Sequence, residues 1–259
     1  LAEMVEVLAV HHGIDGERDA GPAHQLGDAQ FLGVPVAIRA DATVSFIGRK
    51  LGCYLGAGPD HAGVRRFDDL GVPPQAYSDV SAEAALIGPD IVREALPARA
   101  RTAHKGRHGH VLVIGGTPGM AGAARLAGVA ALRSGAGLVS IATHPAGAAS
   151  MAAPPELMTA AIETARDLVP LLERCSVVAI GPGLGSGEWG TAMLDAALSA
   201  DRPLVVDADA LNLLAPRTLR RDDWILTPHP GEAGRLLGIS ATQVQAGRLI
   251  AARELQLRY

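Results

Sequence analysis

The chain has 259 residues, with 31 Gly, 17 Pro, 48 % apolar residues and a net charge of −4. This length allows one large domain or two modest ones, and this hydrophobic content excludes a disordered chain. The negative net charge argues against nucleic-acid and anionic-membrane partners, and no apolar run is long enough to span a membrane.

The first part of the chain predicts a loop-rich domain over residues 1–78 with one strand, Ala42–Ile47. A second domain is predicted over residues 79–259. It begins with a helical segment, Asp79–Ala103, which is interrupted at Gly88-Pro89, and continues through a basic, histidine-rich link, Arg99–His110.

From Val111 onward, short β-branched runs alternate with segments rich in Ala and Leu. The predicted strands are Val111–Ile114, Leu138–Thr143, Val177–Ile180, Leu204–Val206 and Trp224–Thr227. The predicted helices are Ala121–Ser134, Ala165–Arg174, Trp189–Ala200 and Ala210–Ala215. This alternation predicts an α/β fold, in which a mostly parallel sheet is covered by helices on both faces.

Four of these strands run directly into glycines, carboxylates or a histidine. The segments that follow them are Gly115–Gly119, Gly181–Gly185, Asp207–Asp209 and Pro228–Glu232. Because open parallel sheets bind ligands beyond the carboxyl ends of their strands, we expect the functional site at this edge.

The two glycine-rich segments each allow two interpretations. Gly115–Gly122 opens a helix, and its small residues suit either a bound anion or close packing of helix on sheet. Gly185–Gly190 matches G-x-G-x-x-G, with Asp207 at the end of the next strand. However, Pro182 and extra turns separate this motif from its strand. We therefore favour a glycine-rich ligand loop over the site of an NAD-dependent dehydrogenase, which stays an alternative.

The polar residues at the strand ends are candidate ligand contacts. Asp207 and Asp209 form D-x-D, with Asn212 one helical turn later. Because alternate side chains of a strand point in opposite directions, we expect one carboxylate to face the ligand, either a substrate or water bound to Mg²⁺. Alternatively, Asp209 caps the next helix. His229 lies between two prolines that fix its backbone, which favours a ligand contact over an ordinary exposed turn histidine.

The basic link is interpreted as solvated. His104, His108 and His110 lack the carboxylate or cysteine partners of a metal site, although Lys105 could contact a phosphate. The two cysteines are far apart and form no C-x-x-C motif. They are typical of packed thiols in a reducing compartment, so we expect a cytoplasmic protein.

Five blocks, in this order, resemble the ADP-dependent NAD(P)H-hydrate dehydratase family, a branch of the ribokinase-like fold. The blocks are HKG…HG from His104, GGTPGMAGAARLAGVAALRSGAGLV from Gly115, IGPGLG from Ile180, DADALNLLA from Asp207 and TPHPGEAGRLLG from Thr227. Residues 32–75 resemble the final part of NAD(P)H-hydrate epimerase, which is often fused ahead of the dehydratase.

The resemblance implies a three-layer α/β/α fold and repair of nicotinamide nucleotides. The S form of hydrated NADH or NADPH would be dehydrated with ADP as co-substrate and Mg²⁺ as cofactor, releasing AMP and phosphate. It further implies two groups of site residues: Ala123, Gly183 and His229 at the hydrate with Asp209 and Asn212 beside it, and Glu232 acting on the Mg²⁺ shell. Lys105 is the candidate for cofactor binding, through the phosphate contact suggested by its own position in the basic link.

Departures from the family patterns limit what we expect. Where the epimerase has Asp-x-Pro-Ser-Gly, this chain has AVHHG at Ala9–Gly13, and the upstream cofactor loop is missing, so we expect no epimerase activity. The dehydratase's Leu-Lys-Gly loop and its Gly-Thr-Gly-Asp motif, which carries the expected base, do not occur before Tyr259. We therefore expect a fragment whose sheet is truncated at the C-terminus and which is itself inactive.

Three other functions stay open at this stage. A ribokinase-like kinase for a small alcohol would use a motif similar to TPHPGE, and an NAD-dependent dehydrogenase would use Gly185–Gly190. A non-catalytic remnant that only binds a dinucleotide is the third. We also expect a homo-oligomer with small-molecule partners.

Overall fold

The computed structural model describes residues 7–10, 38–148, 151 and 154–259. The chain divides into two compact units, Leu1–Ala98 and Arg99–Tyr259. The boundary predicted after residue 78 falls inside the first unit, so the assignment of residues 79–98 to the second domain rests on the sequence alone.

The first unit contains a three-stranded sheet. Its strands, in the spatial order β1-β2-β3, are β1 (Val7–Val10), β2 (Ala42–Phe46) and β3 (Val64–Asp68). β1 is antiparallel to β2, and β2 is parallel to β3. Sequence analysis predicted β2 but not β3, because all five residues of β3 are exposed and it therefore lacks the alternation of a half-buried strand.

The described part of this unit also contains two short α-helices, α1 (Gly58–His61) and α2 (Pro89–Ala95), and two 3₁₀ turns, Leu51–Cys53 and Pro74–Tyr77. The predicted helical segment over residues 79–103 was too long, since residues 82–87 (AEAALI) are not helical. These residues have high helix propensity, but most of them are exposed, and propensity alone does not stabilise so short a helix in water.

The second unit is built on a six-stranded sheet in which every neighbouring pair is parallel. The strand order is β6-β5-β4-β7-β8-β9. The strands are β4 (His110–Ile114), β5 (Leu138–Thr143), β6 (Met158–Ala161), β7 (Val177–Ile180), β8 (Leu204–Val206) and β9 (Trp224–Leu226). All five predicted strands are present, but β6 was missed because its sequence, MTAA, carries no hydrophobic run.

A helix follows each of these six strands, and two further helices end the second unit. They are α3 (Ala121–Arg133), α4 (Pro145–Ala148), α5 (Ala165–Arg174), α6 (Glu188–Ser199), α7 (Ala208–Leu214), α8 (Pro230–Leu237), α9 (Ala241–Ala246) and α10 (Arg248–Arg258). A capping box formed by Ser240 and Gln243 begins α9. Gly247 separates α9 from α10.

Buried side chains cover both faces of the sheet. In β4, Leu112 and Ile114 belong to a large apolar cluster with residues of α5 to α8, whereas Val113 belongs to a second cluster with Ala124 of α3. Because successive strand residues point to opposite faces, these clusters lie on opposite sides of the sheet. The second unit therefore has three layers, helix, sheet and helix. No described helix is both long and apolar enough to cross a membrane.

Candidate active site

The predicted ligand-binding segments lie at the carboxyl edge of the six-stranded sheet. β4, β7, β8 and β9 are consecutive neighbours in that sheet, and all run in the same direction. The segments that follow them therefore leave the sheet side by side. They include Ala123, Gly183, Asp209 and His229, so the topology brings most of the predicted site residues to one edge.

The loops after β4 and β7 are bonded to each other. Thr117 donates two hydrogen bonds to the carbonyl oxygen of Gly183, from its backbone nitrogen at 2.8 Å and from Oγ1 at 3.0 Å. A Cβ on Gly115 would lie 2.1 Å from the carbonyl oxygen of Pro182. The packing interpretation therefore accounts for Gly115, since any side chain there would separate the two loops.

Gly183 and Ala123 both adjoin Met120, the residue at the N-cap of α3. Gly183 is buried with a φ of +62°, and a Cβ there would lie 2.6 Å from the carbonyl oxygen of Met120. Ala123 donates its backbone N–H to the same carbonyl at 3.1 Å. Two of the predicted hydrate contacts thus meet at the start of α3.

The two carboxylates after β8 bind loops on opposite sides. Asp207 Oδ1 accepts a hydrogen bond from Thr227 Oγ1 at 2.8 Å, on the β9 side. Asp209 Oδ2 accepts from the backbone nitrogen of Gly185 at 2.8 Å, on the β7 side. The N-cap of α7 is Asp207, without a side-chain capping bond, so the prediction that Asp209 caps this helix was wrong.

Asn212 binds a neighbouring helix. Its Oδ1 accepts a hydrogen bond from Nη1 of Arg235 at 2.6 Å, which joins α7 to α8. The structure therefore gives Asn212 a packing contact, and its place beside the substrate stays a prediction.

His229 is held in one orientation by the first turn of α8. Its Nδ1 accepts the N–H of Gly231 at 3.0 Å, and its own backbone N–H is accepted by Glu232 Oε2 at 2.9 Å. Because Nδ1 is an acceptor, the neutral ring carries its proton on Nε2, which lies 3.1 Å from Glu232 Oε1. The side chain is nevertheless 62 % exposed, so a fixed imidazole faces solvent at this edge.

The predicted Mg²⁺ role of Glu232 can be compared with its surroundings. Its side chain is 7 % exposed, and both of its oxygens face His229, in a capping box that begins α8. Over the described ranges, no three His, Cys, Asp or Glu side chains gather as a metal site. Glu232 is occupied in this capping box, and its metal role stays a prediction.

Lys105 lies at the opposite, amino edge of the sheet. It begins a 3₁₀ turn, Lys105–His108, that leads directly into β4. Its carbonyl oxygen is 1.8 Å from the position of a Cβ on Gly137, the residue that precedes β5. The structure does not bring Lys105 together with the other predicted site residues, and its nucleotide contact stays a prediction.

Sequence analysis missed Thr117 and Thr227 as site residues. Both lie just after a strand, in the segments already chosen for their glycines and histidine. Their hydroxyl partners are 66 and 20 residues distant in sequence. A threonine beside a strand end was the only available signal, and it is too common to identify a long-range hydrogen bond.

Comparison with known proteins identifies the family of this chain. A family model described as NAD(P)H-hydrate dehydratase matches residues 111–259. The chain is 49 % identical over 224 residues to a bifunctional NAD(P)H-hydrate repair enzyme of Coxiella burnetii. It is 42 % identical over 223 residues to one of Escherichia coli. Each match covers 86 % of this chain but 46 % and 43 % of the relatives, so the chain spans less than half of their length.

Solved structures extend the comparison to the fold. An ADP/ATP-dependent NAD(P)H-hydrate dehydratase from Bacillus subtilis, co-crystallized with ATP/Mg²⁺, is 35 % identical with a TM-score of 0.54, covering 64 % of this chain and 60 % of that one. A ribokinase-like superfamily protein from Enterococcus faecalis is 27 % identical with a TM-score of 0.60, covering 66 % and 62 %. The ribokinase-like fold predicted from the sequence is confirmed. The chain belongs to the NAD(P)H-hydrate dehydratase family.

Proposed function

We propose that this chain supplies the substrate side of an ADP-dependent NAD(P)H-hydrate dehydratase. The reaction would return the S form of hydrated NADH or NADPH to NADH or NADPH, with ADP converted to AMP and phosphate. The observation that supports this most directly is the placement of Ala123, Gly183 and His229. The family resemblance assigns these three residues to the hydrate, and they follow β4, β7 and β9 at one edge of the sheet.

The chemistry explains why a nucleotide is needed. A hydroxyl on the reduced nicotinamide ring is a poor leaving group at neutral pH. Transfer of the terminal phosphoryl group of ADP to this hydroxyl leaves AMP and forms a phosphate ester. The lone pair of the ring nitrogen then expels phosphate, a proton leaves the neighbouring carbon, and the ring double bond is restored.

This chain would contribute positioning to that sequence of steps. Phosphoryl transfer requires alignment of the reacting groups and stabilisation of charge more than covalent catalysis by the protein. The imidazole of His229 is oriented by Gly231 and Glu232 before any ligand arrives. Gly122, in the first turn of α3, has open space where a Cβ would lie, so a dinucleotide can approach the backbone closely there.

Mg²⁺ is proposed only as the companion of the nucleotide phosphates. Bound there, it would neutralise charge during the transfer, as it commonly does with substrate phosphates and one or two carboxylates. No step above depends on a magnesium site built from the described residues.

The other functions considered for this sequence are not favoured by the family match. A small-molecule kinase would leave a phosphorylated product and regenerate no nicotinamide. An NAD-dependent dehydrogenase would transfer hydride without any need for ADP.

The remaining proposals concern the setting of the reaction. We propose that residues 1–78 are the remainder of an epimerase domain without activity. Residues 11–13 of the AVHHG segment, on which this depends, lie outside the described residues. Two buried free thiols, Cys53 and Cys175, agree with a reducing cytoplasm. A homo-oligomer is also proposed, and sedimentation would test it.

The decisive experiment measures products with hydrated NADPH, ADP and Mg²⁺. The 259-residue chain is assayed alone and within the longest reading frame that contains it. We expect AMP and NADPH in equal amounts from the longer protein, only with ADP and only from the S form. NADPH formed without ADP, or a stable phosphorylated product without NADPH, would contradict the proposal. Robust turnover by the short chain would show that its residues already include the catalytic base.

A further inference from the structure

The turn Gly183–Gly185 is held from two sides by side chains of neighbouring loops. Thr117, after β4, donates its Oγ1–H to the carbonyl oxygen of Gly183 at 3.0 Å and its backbone N–H to the same atom at 2.8 Å. Asp209, after β8, accepts the N–H of Gly185 at 2.8 Å. One residue binds the carbonyl side of the turn and the other its amide side, so both ends of the turn are fixed.

The backbone conformation after β8 allows Asp209 to reach the turn. Ala208, between the two carboxylates, has a φ of +48°, a conformation that residues other than Gly, Asn and Asp seldom adopt. It turns the chain so that Asp207 binds Thr227 on one side while Asp209 binds Gly185 on the other. An unfavourable backbone conformation that persists at a strand end implies that the contacts on both sides compensate for it.

The turn needs such support because its own sequence does not fix it. Gly183 and Gly185 both have positive φ, +62° and +74°, and glycine loses more conformational freedom on folding than any other residue. Leu184 between them is fully buried, and its N–H bonds to the carbonyl oxygen of Gly181, so the middle of the turn is already held. Without the bonds from Thr117 and Asp209, the peptide groups of Gly183 and Gly185 would be free to reorient, and a ligand contact that needs a fixed geometry would be weakened.

We propose that Asp209 and Thr117 are positioning residues that clamp the Gly183–Gly185 turn for dinucleotide binding. The proposal rests on the function proposed above and changes the role expected for Asp209. In this role Asp209 acts as a hydrogen-bond acceptor for a backbone amide. A contact with substrate or metal, as the sequence predicted, would instead depend on its negative charge.

Two substitutions at Asp209 separate these roles. In Asp209→Ala the acceptor and the charge are both lost, whereas in Asp209→Asn the amide oxygen can still accept the N–H of Gly185 without a charge. The kinetics are measured in the longest reading frame that contains this chain, where turnover is expected. For the clamp, we expect Asp209→Ala to lower kcat/KM for hydrated NADPH there by about ten- to a hundredfold, mostly through KM. Asp209→Asn should stay within about threefold of the wild type, because one hydrogen bond is kept.

Thr117 provides the matched pair on the other side of the turn. Thr117→Val keeps the shape of the side chain and the backbone bond but loses the hydroxyl donor, whereas Thr117→Ser keeps the donor. We expect Thr117→Val to raise KM for the hydrate by about three- to tenfold and Thr117→Ser to restore it. KM for ADP should change little in all four variants.

Hydrogen exchange tests the clamp without turnover. In the 259-residue chain, the peptide spanning residues 181–187 should exchange faster in Asp209→Ala and at the wild-type rate in Asp209→Asn. Unchanged exchange in Asp209→Ala, or an Asn variant as impaired as the Ala variant in kcat/KM, would overturn the proposal. Exchange as expected in a protein that never converts hydrated NADPH would instead overturn the proposed function, with the clamp intact.

Discussion

The two edges of the six-stranded sheet both carry side chains that join segments from different strands. At the carboxyl edge, Thr117 and Asp209 join loops that follow different strands, and His229 is exposed. At the amino edge, Ser176 Oγ accepts the backbone N–H of His110 at 3.0 Å, which joins the start of β4 to the segment before β7. Hydrogen bonds between segments therefore do not by themselves distinguish the edge that binds substrate.

The size of a cavity does not distinguish these edges. A cavity of about 470 Å³ opens at the amino edge, lined among others by Gly106, His110, Ser140 and Arg174. However, helices in such a fold point their carbonyl ends toward the amino edge and their amide ends toward the carboxyl edge, which favours anions only at the latter. For a phosphate-bearing substrate, the field of the helices therefore agrees with the placement of the glycines and His229.

The largest effect at the carboxyl edge is expected from a substitution that adds a side chain at Gly183. We expect Gly183→Val to abolish turnover, by more than about a hundredfold, and to destabilise the fold by about 2–5 kcal/mol. The valine would carry a positive φ and would overlap Met120, whose carbonyl oxygen is 2.6 Å from the Cβ position. Kinetics with hydrated NADPH and urea unfolding measure the two effects.

Gly187→Ala is the matched control for this substitution. Nothing lies within 4 Å of a Cβ at Gly187, and its φ is −80°. The variant should react like the wild type and lose at most about 1 kcal/mol of unfolding free energy, because alanine is a poorer N-cap of α6 than glycine. Normal turnover by Gly183→Val, or a large loss in Gly187→Ala, would show that the turn does not define the site as described.

A second test separates the two tasks of His229. His229→Ala loses both the imidazole and the N-cap of α8, whereas His229→Asn keeps a good capping residue. We expect both variants to lower turnover by about ten- to a hundredfold, since each loses the hydrogen bonds of the ring. Only His229→Ala should also lose about 1 kcal/mol of unfolding free energy.

Thermal and urea unfolding beside steady-state kinetics would measure this. Wild-type kinetics in the Asn variant, at saturating ADP and Mg²⁺, would exclude the imidazole from the site and leave His229 as a capping residue.

Local patterns in the sequence predicted the frame of this site, but not its internal bonds. The strand ends before Gly115 and Gly181 could be predicted because β-branched runs stop at glycines. β6 could not be predicted, because an exposed edge strand of sequence MTAA needs no apolar pattern. The role of Asp209 depends on Gly185, a partner 24 residues away, and only the order of the strands brings the two together.

At the amino edge, the protonation of His110 should make the unfolding free energy depend on pH. Burial lowers the pKa of His110, whose Nε2 lies 2.8 Å from Ser140 Oγ. The unfolded chain therefore takes up this proton first as pH falls, and the unfolding free energy decreases below a pH of about 6.5. In His110→Gln this part of the pH dependence should disappear, which urea unfolding at neutral and mildly acidic pH would measure. An equally steep decrease in the variant would assign the dependence to other groups.

The smallest effect is expected for substitution of Lys105, which also tests whether the amino edge belongs to the active site. Lys105 precedes β4, so its Cα lies at the edge opposite Gly183 and His229. A lysine side chain cannot span the length of a strand of five residues, which is about 16 Å. We therefore expect Lys105→Ala to leave KM for ADP and kcat within about twofold, as for an exposed charge removed from the surface. Lys105→Arg, which keeps the charge, should behave in the same way.

If KM for ADP instead rises about tenfold in Lys105→Ala and recovers in Lys105→Arg, the nucleotide contacts this lysine as the sequence predicted. The amino edge would then belong to the active site, either within one chain or across two copies in an oligomer.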